Sequence, residues 1–256
     1  MNILAIDTAT DRFSVALTAE RQGRRDTWLF EADAGMRHSE LVMDCVDMLV
    51  RKADLEPRDI GGVVCMGGPG SFTGLRIGFS LAKGLALSLG IPFAPISTLD
   101  CLARPFASWP GIAVPALDAK KRAFFCAPYR EGERIGPDMD ATPREIATAL
   151  AETLSPRAGM AERVLLFGPG AEMLFDGLMS LPPDNPGDAE IKAAVRLGKG
   201  VRWGNAETLL ELALETRVFD AGTGGDLFAG PEYLRKSDAE IERLRAQVAG
   251  LGNASP

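Results

Sequence analysis

The sequence predicts a duplicated α/β fold built as two lobes. Three observations predict it. Strand, hairpin, helix, strand and helix patterns follow one another up to residue 105. After a Pro/Gly-rich boundary at "RPFASWPG" a looser version of the same order begins again. The chain has 256 residues, 46% hydrophobic and 25% charged, which is globular composition with enough length for a real core.

The elements follow in chain order. "NILAID" reads as a buried strand. "RFSVALTAE" and "RRDTWLFEAD" alternate in part across the turn "RQG", so the three strands form an antiparallel meander. "GMRHSELVMDCVDMLVRKA" has helical spacing, "DLEPRDIGG" reads as a loop, and "VVCM" as a short central strand. "SFTGLRIGFSLAKGLALSLG" is a helix stopped by Gly90 and Pro92. "FAPIS" is a strand and "TLDCLARPFA" a short helix.

In the second half "IAVPALDA" and "RAFFCAPYR" form a hairpin across "KK". "TPREIATALAETL" is a helix capped by Thr142, with Glu145 completing a capping box. "RVLLFGPGAEML" reads as strand, glycine turn and helix, and "SLPPDNPGD" as a loop. "AEIKAAVRLGKG" and "NAETLLELALE" read as helices. "GPEYLRKSDAEIERLRAQVAG" is an extended segment followed by a charged amphipathic helix, and "LGNASP" a frayed tail. The lobes are then residues 1–105 and 106–230, with 231–256 packing back on the first.

A formal charge of -7 excludes nucleic-acid binding through a general basic field, though not through a local patch. Cys45, Cys65, Cys101 and Cys126 form no CxxC pair and lack zinc spacing, so they read as reduced, buried thiols of a cytoplasmic protein. "MNILAIDTAT" lacks a basic n-region, so no signal peptide is expected, and no apolar window is long enough for a membrane span. The single histidine, His38, removes metal motifs that need two.

The most unusual stretch is "GGPGSFTGLRIG", residues 67–78. Walker A spacing fails, because Phe72, Thr73 and Leu75 stand where the second glycine is needed. GxGxxG fails at Thr73, and a GxSxG elbow fails at Pro69. Small residues do recur every four: Gly70, Gly74, Gly78, Ala82 and Ala86, with a second row at Ser80, Gly84 and Ser88. Each helical glycine costs roughly 1 kcal/mol relative to alanine, so close approach of another backbone must offset it. That neighbour is either the chain's own sheet or a partner. Arg76, a cation in the first helical turn, opposes the helix dipole by up to about 1 kcal/mol and so calls for a partner.

The preceding helix carries apolar residues over an arc of roughly 240°, against about 100° for a one-sided surface helix. Leu41, Val42, Cys45, Val46, Met48 and Leu49 form a broad face, and Met36, Met43 and Val50 extend it. This favours a helix packed on two sides, with another chain on the second.

Asp7 ends the first strand, where an acid can position Mg²⁺ or water, and Asp118 is placed analogously in the second half. Gly168 and Gly170 suit either a nucleotide beside a strand end or a tight turn. His38, Ser39 and Glu40 are neighbours on one helix and do not converge as a nucleophile set.

"ILAIDTAT", "RHSELVMDCV", "GGPGSFTGLRIGFSLAKGLA" and the late "PEYLR" resemble the TsaB (YeaZ) family of tRNA threonylcarbamoyladenosine biosynthesis. The second half matches loosely, through "VPALDAKKRAFFCAPY" and "LLFGPGAE". The resemblance implies the duplicated actin, Hsp70 and sugar-kinase (ASKHA) fold. It implies a non-catalytic subunit that binds and activates TsaD, the metal-bearing catalytic relative, through helices 37–53 and 71–89. TsaE, an ATPase, binds the assembled pair, and the chain forms homodimers when alone. The tRNA, modified at the adenosine 3′ of the anticodon, is met only through the complex.

Interface positions are then His38, Glu40, Leu41, Met43, Val46, Val50, Gly70, Gly74, Arg76, Gly78 and Ala82. Gly78→Glu is expected to abolish the heterodimer and leave the monomer folded. Asp7, Thr8, Asp118, Gly168 and Gly170 are degenerate nucleotide-site positions, which leave room for weak ATP or ADP binding. No catalytic residue, metal ligand or cofactor is assigned to this chain, since ATP and metal belong to the partners. The alternatives are a nucleotide-dependent phosphotransferase of the same fold and a glycoprotease-like peptidase.

Overall fold

The computed structural model describes residues 1–33, 35–154, 162–185, 187–198, 205–219 and 230–234. The first sheet contains β1 (Asn2–Asp7), β2 (Arg12–Arg21), β3 (Arg24–Asp33), β4 (Ile60–Gly68) and β5 (Phe93–Ser97). Its order is β3-β2-β1-β4-β5, antiparallel through β1, β2 and β3 and parallel through β1, β4 and β5.

The second sheet repeats that plan. Its strands are β6 (Ile112–Asp118), β7 (Phe124–Cys126), β8 (Tyr129–Arg130), β9 (Glu133–Arg134), β10 (Met139–Ala141), β11 (Val164–Phe167) and β12 (Val195–Leu197). Its main path runs β10-β7-β6-β11-β12, with the same strand directions as the first. The short β8 and β9 sit off that path.

Alternation along β1 explains why its stretch Ile3 to Ile6 is apolar throughout. Leu4 and Ile6 face one layer, with Phe13, Val15, Val63 and Phe79. Ile3 and Ala5 face the other, with Ala16, Val64 and Leu209. A strand buried on both faces cannot alternate with polar residues. Each such Leu, Ile or Phe contributes roughly 1.5–3 kcal/mol by leaving water.

Two helices, α1 (His38–Lys52) and α2 (Phe72–Leu89), cover the first of those faces. Helix α2 starts where the Ser71 hydroxyl accepts the Gly74 N–H, and it ends at Gly90 in the left-handed region. Its start and stop residues match the sequence expectation. The remaining helices are α3 (Thr98–Ala103), α4 (Pro143–Thr153), α5 (Ala171–Met179), α6 (Asp188–Ala194) and α7 (Ala206–Glu215). Thr142 and Glu145 form the expected capping box at α4.

Among the described residues, the last helix of each half crosses to the other half. Leu99, Leu102 and Ala103 of α3 pack with Ala113, Leu117 and Phe167 of the second sheet. The Tyr129 and Arg134 side chains both donate to the Asp100 carboxylate of α3. Reciprocally, Ala206, Leu209, Leu210 and Ala213 of α7 pack on Ile3, Ala5, Ala16 and Val64 of the first sheet.

Several expectations need correction. Packing on the first lobe begins at Asn205, ahead of the segment 231–256 expected to return there. The central strand is longer than "VVCM", running from Ile60 to Gly68, because Gly61 and Gly62 lie in it. A Cβ on Gly62 would meet the Phe219 ring at 2.7 Å, so a glycine pair that reads as loop is a packing device. "AEIKAAVRL" is helical only to Ala194. Val195–Leu197 becomes a strand because it completes the parallel edge beside β11. Strands β9 and β10 carry no strong periodic signal and were not anticipated. The hairpin turn spans Lys120, Lys121 and Arg122, all at positive φ. The expected C-terminal helix and tail lie outside the described residues. No helix among the described residues is long and apolar enough to cross a membrane.

Candidate functional site

The two halves carry the same Gly-Pro-Gly turn at corresponding strands: Gly68-Pro69-Gly70 at the end of β4 and Gly168-Pro169-Gly170 just after β11. The first glycine of each has φ near +104° to +112°, which only glycine adopts without strain. The second glycine of each abuts the turn after the neighbouring central strand. A Cβ on Gly70 would meet the Ala9 carbonyl at 2.7 Å, and one on Gly170 would meet the Asp118 N at 2.8 Å. The nitrogen of Ser71 donates to Ala9 O, and that of Gly170 to Ala116 O, both at 2.8 Å. Gly168 and Gly170 are therefore occupied by packing.

The row along α2 is answered by the same loop. The Thr8 hydroxyl donates to the Gly74 carbonyl at 2.7 Å. A Cβ on Gly74 would overlap the Thr8 carbonyl, and one on Gly78 would come within 2.6 Å of Thr8 Oγ1. Ala82 and Ala86 continue the row into the core beneath. The neighbour that these small residues admit is the chain's own β1–β2 turn.

This overturns part of the predicted interface. His38, Val46, Val50, Gly74, Gly78 and Ala82 face inward and are buried. His38 Nε2 lies 3.1 Å from the Asp11 carbonyl, and its ring meets Phe13 edge-on at 5.7 Å. Leu41 and Gly70 are half-buried, whereas Glu40, Met43 and Arg76 face outward. A side chain at position 78 would crowd the buried Thr8 hydroxyl, so Gly78→Glu is expected to destabilise the lobe itself. Periodicity alone cannot tell an inward glycine row from an outward one.

The outward row is the other one. Ser80, Gly84 and Ser88 are exposed, and a Cβ on Gly84 would touch nothing within 4 Å. Leu87 on the same face is 66% exposed, and Met43 and Met48 of α1 are 45% and 37% exposed. Helix α2 thus presents Leu87 beside a strip with almost no side-chain height, and α1 exposes two methionines of its own.

Between the lobes lies a groove with two connected hollows of about 600 and 590 Å³ that share Thr10, Asp11 and Pro169. The predicted nucleotide-site residues do not furnish it evenly. Asp7 is buried, with Oδ1 accepting from Ala9 N and Oδ2 from Asn205 N. Burial pushes its carboxyl up to about 6, against those hydrogen bonds. Beside it, Ser14 Oγ accepts from Ala206 N. Asp7 and Ser14 therefore cap the first turn of α7, and Asp7 offers the groove no carboxylate for a cation. Thr8 is buried and committed to Gly74.

Asp118 does line the second hollow. Burial works against its charge, but the side chain and N–H of Lys120 outweigh that and hold its carboxyl below the usual range. All four cysteines are free and buried, and burial pushes the thiols of Cys65, Cys101 and Cys126 up.

Sequence reasoning missed the partners of these residues. Asn205 and Ser14 carry no motif, and their role follows only from α7 crossing between lobes. The segment 231–234 was recognisable in sequence, but not its place. Glu232 N donates to Gly67 O at 2.8 Å, and the Tyr233 ring lies 5.0 Å from that of Phe72.

Comparison with known proteins adds to this geometry. A family model described as "TsaD: tRNA N6-adenosine threonylcarbamoyltransferase" matches residues 32–178. The chain is 36% identical over 146 residues to the tRNA threonylcarbamoyladenosine biosynthesis protein TsaB of Bacillus subtilis, covering 55% of this chain and 62% of that one. Escherichia coli TsaB is 33% identical over 135 residues, covering 52% and 57%. The chain thus spans less than two thirds of the length of these curated relatives. An uncharacterized Mycobacterium tuberculosis protein is 31% identical over 199 residues, covering 75% and 84%. Among solved structures, YeaZ from Pseudomonas aeruginosa superimposes with a TM-score of 0.66 at 24% identity, over 91% of this chain and 99% of that one. That likeness is one of fold, and the duplicated sheet is the actin-like ASKHA architecture.

Proposed function

This chain belongs to the TsaB (YeaZ) family, and from that premise we propose that it is a non-catalytic subunit in threonylcarbamoyl transfer to tRNA adenosine, docking on TsaD through α1 and α2. The observation that carries the reading is the outward face of those helices. Leu87 stands exposed beside Ser80, Gly84 and Ser88 on α2, whose low profile admits another helix at close range, and α1 exposes Met43 and Met48. The docking residues are thus Glu40, Leu41, Met43 and Arg76 from the predicted set, joined by Met48, Ser80, Gly84 and Leu87.

Docking would raise the population of the transfer-competent state of TsaD, to the extent that the subunit binds that state more tightly. TsaE then binds the pair, ATP and metal remain with the partners, and tRNA is met through the complex. A second copy of the chain covers the same face when TsaD is absent. The test is reconstitution of tRNA modification with and without this chain, beside pull-down of TsaD by Gly84→Glu. Modification that proceeds equally without the chain, or undiminished TsaD capture by the variant, would remove the proposal.

The interlobe groove favours a second, weaker reading, namely loose ATP or ADP binding. Gly168, Pro169 and Thr10 line it, and Asp118 reaches it beside Lys120. Asp7 is not counted as a cation ligand for that nucleotide, because it is buried and lines neither hollow. Calorimetry with ATP and Mg²⁺ tests this, with weak binding insensitive to Asp7→Asn as the expected result. The peptidase alternative has no support in the geometry, since His38 is buried against Phe13 and Asp11.

A further inference from the structure

We infer that Arg76 is the anion receptor of the docking face, held ready by the C-terminal segment through Tyr233, and that it takes a carboxylate on a partner helix. The inference rests on the reading of α1 and α2 as the docking surface.

Arg76 lies in the first turn of α2 and is exposed. A cation there works against the helix dipole. Nothing in α2 itself offsets this, since its first turn contains no acid. The guanidinium is nevertheless fixed. Its central carbon sits 3.7 Å from the centre of the Phe72 ring. Its Nε donates to the Tyr233 hydroxyl at 3.2 Å. The Tyr233 ring in turn packs against that of Phe72, tilted by 41°.

The segment that brings Tyr233 there is tied to the Gly-Pro-Gly turn. Glu232 N donates to the Gly67 carbonyl. Gly68, at φ +112°, leaves room for the Glu232 carbonyl that any Cβ would strike. The glycines of "GGPGS" and the late "PEYL" are therefore one structural unit, whose exposed product is a held arginine.

Tyr233 and Phe72 use the Nε edge and one face of the guanidinium. Its two terminal nitrogens have no partner among the described residues. A planar pair of N–H donors on a side chain already stripped of rotamer freedom suits bidentate binding of a carboxylate or phosphate. A protein carboxylate fits better here. The chain carries a net charge of -7, which repels a polyanion at long range. The nearest lysine on the helix, Lys83, is directed to the Phe79 and Phe93 rings, so no second α2 cation shares the anion.

The test titrates TsaD into the full chain by calorimetry, comparing wild type with Arg76→Lys, Arg76→Ala, Tyr233→Phe and Tyr233→Ala, each checked for native circular dichroism. Arg76→Lys keeps the charge and loses the fork, and is expected to weaken binding about tenfold. Tyr233→Phe keeps the ring and loses the hydroxyl, and is expected to weaken it about threefold. Adding Tyr233→Ala to Arg76→Ala is expected to cost nothing further, because both act through one contact.

Wild type that binds while Arg76→Lys and Tyr233→Ala bind within twofold of it would overturn the inference and leave the docking surface standing. Wild type that fails to bind TsaD removes the docking surface and this inference with it. Loss of tRNA retention by the reconstituted complex with Arg76→Ala, at unchanged TsaD affinity, would assign the fork to phosphate and overturn the carboxylate.

Discussion

The Thr8 hydroxyl donates to the carbonyl of Gly74, while the Thr8 carbonyl fills the space that a Cβ on Gly74 would need. The end of β1 and the first turn of α2 are thereby interlocked. Gly74→Ala should cost about 3 kcal/mol, well beyond an ordinary helix substitution, because backbone must move. Urea unfolding measures this, and an unchanged midpoint would show that the contact yields freely.

Gly84 should behave in the opposite way. It has no neighbour within 4 Å, so Gly84→Ala should raise stability by about 0.5–1 kcal/mol through helix propensity. Gly84→Glu should leave the monomer folded and abolish TsaD capture. A thermal melt and a pull-down separate the two effects, and a destabilised alanine variant would contradict the open setting of this glycine.

How much of this was legible in the sequence depends on the range of the interactions. The duplicated architecture was readable because the hydrophobic rhythm and turn residues are local, as at "NILAID" and in the Thr142–Glu145 box. The special character of "GGPGSFTGLRIG" was readable too, since rows of glycine four apart need a reason. Which row faces inward was not, because Thr8 lies far away in sequence. His38 shows the same limit. It looked like an interface residue on an amphipathic helix, and the structure turns it onto Phe13. The edge strand at Val195 was hidden because a short apolar run has no period of its own.

His38 should matter for folding and for nothing chemical. Removing the ring in His38→Ala opens space beside Phe13 and leaves the Asp11 carbonyl without this partner, at about 2–3 kcal/mol. Purified TsaD incubated with wild type or variant should be recovered intact in both cases. Cleavage by wild type that the variant lacks would restore the peptidase.

Asp7 predicts a pH dependence. Its carboxyl, raised by burial to about 6 from an ordinary 3.8, keeps a proton in the folded chain over a range where the unfolded chain has lost it. Stability from this group is full below about pH 4 and falls as pH rises through 6, by up to roughly 3 kcal/mol. Asp7→Asn should flatten that part of the profile. Unfolding free energies measured from pH 4 to 7 check it, and identical slopes in the two proteins would contradict the burial.

The crossing of α3 and α7 bears on how the chain is made. While residues 205–215 are still inside the ribosome, Ile3, Ala5, Ala16 and Val64 lack the cover that Ala206, Leu209, Leu210 and Ala213 give them, although every strand of their sheet has emerged. Each half is closed by a helix synthesised at the end of its own repeat but seated on the other. A cut at the junction of the halves would part α3 from the second sheet and α7 from the first.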